Sequence, residues 1–353
     1  VPPVTTTGSG TGALTVDRTT GALSGSITVA GLSGTANAAH IHSGFAGTNG
    51  GIIVTLVADA GTPGKFDVPA GTVLDPIDPT RLASFLAGGM YVNAHTTANP
   101  AGEVRAQVVA GDIDVVRCVA SGDFEVPPVT TAASGIAYTT VSTGSINTGA
   151  VVANVRTSSF ADANAAHLHR AFAGLNGGVI VPLVQTGGAG SDLWAGVGVF
   201  DAAQLSAYQN GEIYVNVHNP ANPGGHIRSQ IVPTNIRVLR FGLNGGQEVP
   251  PVSTTATATG YITVNQLSGE VEANARTVNL AGGNAAHIHQ AATGDNGGVI
   301  VPLTQDAVAP ELWAGIGVFT AGQLTNFLNN NTYLNVHTPT YPGGEIRGQI
   351  VLP

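Results

Sequence analysis

Apolar and polar residues alternate along most of the chain, in short runs that end at glycine, asparagine or proline. Clear runs lie at residues 139–141, 150–156 and 260–264. A period of two places successive side chains on opposite faces of a strand, and the interrupting residues are typical of turns. Three stretches instead carry apolar residues three and four positions apart and predict short helices, at 80–86, 202–209 and 321–329. The pattern predicts an all-β chain with one short helix in each third.

Three strings recur in the same order along the chain. VPPV begins at Val1, Val126 and Val249, and the last two copies follow Glu125 and Glu248. NAAH begins at Asn37, Asn164 and Asn284, and Tyr-x-Asn-x-His begins at Tyr91, Tyr214 and Tyr333. A period of about 120 residues exceeds the 20 to 50 residues of a solenoid repeat, so each copy should have its own core. We expect three domains, at 1–113, 114–234 and 235–353, each a β-sandwich or partly closed barrel of about seven strands.

The segments that precede the second and third VPPV strings are rich in strand formers. Residues 115–124 and 235–243 predict a leading strand for domains 2 and 3, whereas the first copy has no such segment. Domain 1 is therefore expected to have either an open strand position or a sheet edge with unpaired backbone groups.

Composition and charge narrow the range of partners. Charged residues make up 9% of the 353 residues, Lys65 is the single lysine, and the net charge is -9. Such a chain has no cationic surface for phosphates, so we expect no nucleic-acid partner. No apolar stretch reaches the roughly 20 residues of a membrane helix. Val1 begins no signal-like segment, and we expect that any export signal has been removed.

Histidines are the main candidate for chemistry, because the single Cys118 excludes a disulfide framework and cysteine-rich metal clusters. Nine of the ten fall into three equivalent sets: His40, His42 and His95; His167, His169 and His218; His287, His289 and His337. The first two of each set share one face of a strand, roughly 6.5 to 7 Å apart. Three neutral imidazoles suit copper or zinc. The alternative is that they only make structural hydrogen bonds.

The tenth histidine lies in the middle copy. His226 stands where the other copies have Glu103 and Glu345, which are candidates to orient an imidazole from outside the metal site. We therefore expect either a fourth imidazole or altered surroundings at the middle site.

Other recurrent residues have structural explanations. The Gly-rich strings at Gly47, Gly174 and Gly294 lack the lysine of a phosphate-binding loop and predict turns with positive φ. Trp194 and Trp313 are expected in the core. Glu125 and Glu248 are expected to cap a turn or to pair with an arginine, such as Arg228 or Arg347. No Ser-His-Asp order, nucleophile elbow or recurrent carboxylate pair occurs, so we expect no enzyme activity.

The three strings resemble the CHRD domain, the module named for chordin and repeated in many secreted bacterial proteins. The matching motifs are EVPPV, AHIHxGxxGxNGG and YVNxHTxxxPGGEIRGQI, and they extend over nearly the whole chain. The resemblance implies an extracellular, immunoglobulin-like β-fold without established catalytic activity. The His-x-His strand is also similar in outline to copper-zinc superoxide dismutases, but the bridging histidine and loop ligands of that family have no match here.

These observations predict a secreted or cell-surface structural protein. The low charge, the Thr/Asn/Gly-rich surface and the strands between domains favour head-to-tail self-association, through the ends of domains 1 and 3, into a filament or matrix. One alternative is a copper- or zinc-binding module for metal acquisition or storage. A superoxide-type oxidoreductase is a third hypothesis.

Overall fold

The computed structural model describes residues 3–74, 79–145, 147–188 and 190–353. Val1 and Pro2, which begin the first VPPV string, lie outside the described residues. The chain divides into two compact units, one with residues 1–117, 136–157 and 183–201, the other with 118–135, 158–182 and 202–353. Each third contains one short helix: α1 (Pro79–Leu86), α2 (Ala202–Gln209) and α3 (Ala321–Leu328). The expected helices are thus confirmed to within one residue at each end.

Helix α3 shows why these segments become helical. The Thr320 hydroxyl accepts a hydrogen bond from the backbone N–H of Gln323, and the Gln323 side chain accepts one from the N–H of Thr320. This reciprocal pair satisfies two N–H groups that have no partner inside the helix. Phe327 then faces the core and is fully buried.

Domain 1 consists of two four-stranded antiparallel sheets around one core. Its strands are β1 (Ser9–Val16), β2 (Leu23–Ala30), β3 (Ala38–Ser43), β4 (Ile52–Thr55), β5 (Val57–Ala58), β6 (Lys65–Asp67), β7 (Met90–His95) and β8 (Val104–Val108). The sheet orders are β1-β2-β6-β5 and β4-β3-β7-β8. Ile27 and Phe66 from the first sheet pack with Ile41 and Ala94 from the second. In the described residues of domain 1 the first strand is β1.

Domain 2 is a closed barrel of eight strands. They are β9 (Ile113–Ser121), β10 (Ser134–Ser142), β11 (Ala150–Ser158), β12 (Ala165–Arg170), β13 (Val179–Thr186), β14 (Leu193–Val199), β15 (Ile213–Asn219) and β16 (Asn222–Gln230). Their order is β10-β11-β14-β13-β12-β15-β16-β9, so the predicted leading strand β9 lies between the first and last strands of the repeat.

Domain 3 repeats this barrel. Its strands are β17 (Ile236–Asn244), β18 (Thr257–Asn265), β19 (Glu270–Val278), β20 (Ala285–Gln290), β21 (Gly298–Gln305), β22 (Leu312–Val318), β23 (Thr332–His337) and β24 (Ile346–Ile350). The order is β17-β18-β19-β22-β21-β20-β23-β24, closed into a ring. Trp313 belongs to its core, as expected, and is 3% exposed.

The leading strand decides which of the two expected architectures forms. β17 pairs with β18 over nine residue pairs and reaches β24 where Asn244 lies opposite Arg347. This pairing on both sides closes the sheet, so domain 3, like domain 2, is a closed barrel of eight strands and not of about seven. Among the described residues, no helix is long and apolar enough to cross a membrane.

Candidate metal centre

Strand pairing brings the three histidines of each domain together. In domain 1, β3 pairs antiparallel with β7, and the register places His42 opposite Tyr91 and Ala38 opposite His95. Residues directly opposite on paired strands share a face, so the imidazoles of His40, His42 and His95 meet outside the core. The same registers join β12 to β15 and β20 to β23.

The resulting clusters have the same geometry in all three domains. We call them triad 1 (His40, His42, His95), triad 2 (His167, His169, His218) and triad 3 (His287, His289, His337). Within each triad, one nitrogen from every ring lies within 4.8 Å of the others. The predicted sets of three are therefore brought together by the fold.

A backbone carbonyl determines the tautomer of the second histidine. His42 Nδ1 lies 3.0 Å from the carbonyl oxygen of Gly50, and because that oxygen only accepts, Nδ1 must donate. The lone pair of the neutral ring is then on Nε2, which is buried and has no hydrogen-bond partner among the described residues. His169 and His289 repeat this arrangement with Gly177 and Gly297, at 3.0 and 2.9 Å.

A second carbonyl determines the tautomer of the third histidine. His95 Nδ1 donates to the carbonyl of Pro100 at 3.0 Å, so its Nε2 accepts, at 3.0 Å, from Nδ1 of His40. In triads 2 and 3, Pro223 and Pro342 are the corresponding acceptors. Nε2 of two rings and Nδ1 of the first ring thus converge in every domain.

Burial favours neutral imidazoles. Loss of water is the first cause that lowers the pKa of eight triad histidines, namely His40, His42, His167, His169, His218, His287, His289 and His337. The pKa of His218 is lowered to about 4, with His167 and His169 adding repulsion. Neutral imidazole is the form that binds a metal, so burial favours the metal-binding form of these rings.

A tyrosine and an arginine support each triad. The Tyr91 ring stacks on His42 with centroids 4.9 Å apart, and the Arg105 guanidinium lies 3.3 Å from the centre of the same tyrosine ring. Arg105 also donates to the carbonyl of Thr48 at 2.6 Å. Tyr214 with Arg228 and Tyr333 with Arg347 repeat this stack. The arginine therefore stabilises, by hydrogen bonding, the loop whose carbonyl orients the second histidine.

We call this segment the tip loop; it spans residues 44–50, 171–177 and 291–297. Gly47, Gly174 and Gly294 have φ of 87°, 84° and 90°, so the glycine-rich strings are turns, as expected. Gly50, Gly177 and Gly297 each lie eight residues after the histidine that donates to them.

The donor set fits a transition metal. Three imidazole nitrogens converge in each triad, carbonyls fix the tautomers of two of the rings, and the Nε2 of the second histidine is orphaned, which is a donor set that zinc or copper binds. The half-buried first histidine leaves one side of each triad accessible. A metal would take Nδ1 of His40 as a ligand once that ring carries its proton on Nε2.

His226 does not join triad 2. Its Nδ1 accepts from Asn222 Nδ2 at 2.8 Å, and its Nε2 lies 2.8 Å from the Thr131 hydroxyl. In domain 1, Glu103 at this position accepts hydrogen bonds from Thr6 and Thr96, and in domain 3 Glu345 bonds Thr254. The side chain at this position hydrogen-bonds the threonine two residues after VPPV in each domain, and among the described residues it does not orient a triad imidazole, contrary to expectation.

Glu125 and Glu248 lie beside the polar face of domains 2 and 3. Both oxygens of Glu248 accept from Asn335 Nδ2 at 3.0 Å. Burial raises the pKa of Glu248 to about 7, although the charge of Arg347 acts in the opposite direction. Arg228 acts in the same way on Glu125, whose pKa burial also raises to about 7. The expected arginine partners are thus electrostatic neighbours.

Sequence reasoning found the histidines of each triad but not which carbonyls orient them. An orienting backbone carbonyl cannot be recognised from residue type, because every residue has one. The available signal was spacing, since the same separations from histidine to glycine and from histidine to proline recur in each copy.

Tandem β-domains, each with a histidine triad across two paired strands, define the class of this protein. The chain belongs to the CHRD domain family, whose family model matches residues 1–108, 116–231 and 239–350. A comparison with curated proteins gives no match.

Proposed function

We propose that the protein is an extracellular, non-enzymatic structural protein that binds one copper or zinc ion in each triad and assembles head to tail. The observation that carries the proposal is the threefold repetition of one ligand arrangement, with the same two carbonyls fixing the same two tautomers.

The buried Nε2 atoms support the metal part of this proposal. A buried polar atom without a partner costs about 1 to 3 kcal/mol, and here the cost recurs in three domains. A metal bond to His42, His169 and His289 removes that cost. Metal binding would also stabilise the pairing of β3 with β7, and the corresponding pairings of β12 with β15 and β20 with β23.

Composition supports a structural role. Among the described residues, the clusters that could hold a metal consist of histidines alone, and the charged fraction of 9% leaves a surface of small polar residues suited to contacts between subunits. A metal acquisition or storage function would use the same ions, but would require their ready exchange with a chelator.

Elemental mass spectrometry of dialysed protein tests the metal sites. Wild-type protein exposed to zinc or copper(II) should retain close to three ions per chain, and His289→Ala should retain two. A variant with His42→Ala, His169→Ala and His289→Ala should retain none, because each change removes an Nε2 ligand. His226→Ala is the matched control and should still retain three.

Retention of three ions by the triple variant, or of none by well-folded wild-type protein, would contradict the proposed sites. Dismutation of superoxide by metal-loaded protein above the rate of the free ion would instead favour the oxidoreductase hypothesis.

A further inference from the structure

A pocket in the second compact unit is lined by three carboxylates. It has a volume of about 310 Å³ and lies beside β18, β19 and β22, next to the segment that joins α2 to β15. Glu212, Glu270 and Glu272 contribute the carboxylates. All of its lining residues belong to the same compact unit of the chain. We call it the acidic pocket.

Strand register places a hydroxyl beside one of these carboxylates. Thr263 of β18 lies directly opposite Glu272 of β19, and the residues before and after each of them belong to the core of domain 3. Because successive residues of a strand point to opposite faces, both side chains point away from that core. A Cβ on Gly211 would lie 3.2 Å from Thr263 Cγ2, so the segment that contains Glu212 covers this face.

Glu272 is a buried carboxylate whose charged neighbour is another carboxylate. Burial raises its pKa, and repulsion from Glu212 acts in the same direction. Among the described residues no ion pair joins Glu272 to a lysine or an arginine, whereas Glu248 has the charge of Arg347 nearby. Buried charges in proteins are paired with an opposite charge or coordinate a metal. The acidic pocket therefore lacks a cation.

The hydroxyl of Thr263 is a second unsatisfied group of the acidic pocket. Thr263 lines the pocket and is 2% exposed, and its Oγ1 is buried without a hydrogen-bond partner among the described residues. Leaving a buried hydroxyl unsatisfied is unfavourable. Its oxygen is also a ligand for hard divalent cations. Two independent features, the unpaired carboxylate and the orphaned hydroxyl, thus point to the same kind of ligand.

The repeat folds without these carboxylates elsewhere in the chain. Counted from the asparagine that β11 and β19 share, Val152 stands where domain 3 has Glu272. Counted from the tyrosine that β7 and β15 share, Gly89 stands where domain 2 has Glu212. Both carboxylates are therefore additions to the acidic pocket and not requirements of the barrel.

We propose that the acidic pocket binds one divalent cation that prefers oxygen ligands, with calcium as the ion. Glu272, Glu212 and the Thr263 hydroxyl would supply protein oxygens, and water would complete the roughly six to eight ligands that calcium takes. One oxygen of Glu212 accepts from Arg170 Nε at 2.9 Å, and the other is left for the ion. The ion would neutralise the carboxylates and join the segment before β15 to β18 and β19.

Titration calorimetry with calcium chloride tests the proposal on the full chain, after chelator treatment and dialysis into calcium-free buffer. We expect one calcium ion per chain, with a dissociation constant of about 0.1 to 1 mM, as in extracellular calcium modules. Glu272→Val, which copies Val152, should weaken binding about ten-fold or more, because a charged ligand is lost. Glu212→Gln should act in the same direction. Glu311→Gln, which lies outside the acidic pocket, is the control and should bind as wild type does.

Thr263→Val separates calcium binding from stability. The change removes an orphaned oxygen, so the thermal midpoint in calcium-free buffer should not fall, while the rise in midpoint that calcium causes should shrink. Thr139→Val is the matched control, because Thr139 also has a buried Oγ1 without a partner among the described residues but lies outside the acidic pocket. It should keep the wild-type response to calcium.

Absence of calcium binding by well-folded wild-type protein, or binding that Glu272→Val leaves unchanged, would overturn the proposal. Loss of calcium binding in the variant with His42→Ala, His169→Ala and His289→Ala would also overturn it, since the triads would then be the calcium site. Wild-type calcium binding by that variant would support the acidic pocket, whatever the triads themselves bind.

Discussion

At the scale of single residues, Glu272 is a carboxylate whose pKa its surroundings raise strongly. It is 4% exposed on β19, and its oxygens accept from Asn274 Nδ2 at 3.0 and 3.3 Å. Burial, with added repulsion from Glu212, raises the pKa of Glu272 to about 8. The folded protein therefore holds a proton that the unfolded chain, with an ordinary carboxyl pKa, has already released at neutral pH.

This difference in protonation predicts how the free energy of unfolding depends on pH. Stability from Glu272 is fully present below the unfolded pKa and is lost as pH rises towards 8. The triad histidines act oppositely, because their lowered pKa values reduce stability only as pH falls below about 6.5. Above that pH the buried carboxylates Glu125, Glu248 and Glu272 dominate, and we expect stability to decline as pH rises through their raised pKa values of about 7 to about 8.

Glu272→Gln should flatten this decline by up to about 1.4 kcal/mol per pH unit, because the amide cannot ionise but still accepts from Asn274. Chemical denaturation at several pH values, followed by Trp313 fluorescence in a Trp194→Phe background, measures the slope of stability against pH. Glu311→Gln, at a half-buried position paired with Arg276, is the control. An unchanged slope in Glu272→Gln would refute the assignment.

At the scale of elements, the tip loop links a triad to the domain that follows. Asn154 Nδ2 donates to the carbonyl of Ala46 at 2.9 Å, and Asn274 Nδ2 donates to that of Ala173 at 2.8 Å. A Cβ on Gly174 would lie 2.4 Å from the Tyr261 ring and from Asn274 Oδ1, whereas one on Gly294 would meet nothing within 4 Å. The third tip loop is thus built like the first two but is uncovered.

These two glycines form a matched pair, because both have a φ near 90°. Gly294→Ala should cost about 1 kcal/mol, the cost of placing a side chain in left-handed backbone. Gly174→Ala should cost more, because the same strain is added to a clash with Tyr261. Chemical denaturation of both variants measures the difference, and equal losses would show that the loop does not pack as described.

At the scale of the whole molecule, head-to-tail association would bring the third tip loop against domain 1. The residues at these two surfaces differ from those where successive domains of the chain contact each other. The third tip loop exposes Thr293, and domain 1 has Ala13 and Ser26 where domain 3 has Tyr261 and Asn274. Head-to-tail association would therefore use a smaller and more polar contact than the junctions inside the chain.

We expect the purified protein to form concentration-dependent oligomers that static light scattering detects. Thr293→Arg should lower the mean mass at a given concentration, because a long charged side chain would obstruct the exposed tip loop. Thr62→Arg, at another exposed threonine, should leave it unchanged. A strictly monomeric wild-type protein at high concentration, confirmed by negative-stain microscopy, would contradict the proposed assembly.

Sequence patterns alone predicted much of this protein. Alternation and repeated strings predicted a repeated β-rich chain and its short helices, because strand periodicity and duplication can be recognised from residue types. The His-x-His spacing placed His40 and His42 on one face, because side chains two apart on a strand always share it.

Only the tertiary structure determined how the strands close into barrels and which groups surround the histidines. Whether the leading strand completes a barrel depends on its pairing with both β18 and β24, which lie far from each other in sequence. The distance from His95 to His40, the orphaned Nε2 of His42 and the exclusion of His226 from triad 2 depend on strand register and loop carbonyls. Residue type encodes which groups are available, but only long-range packing fixes which of them meet.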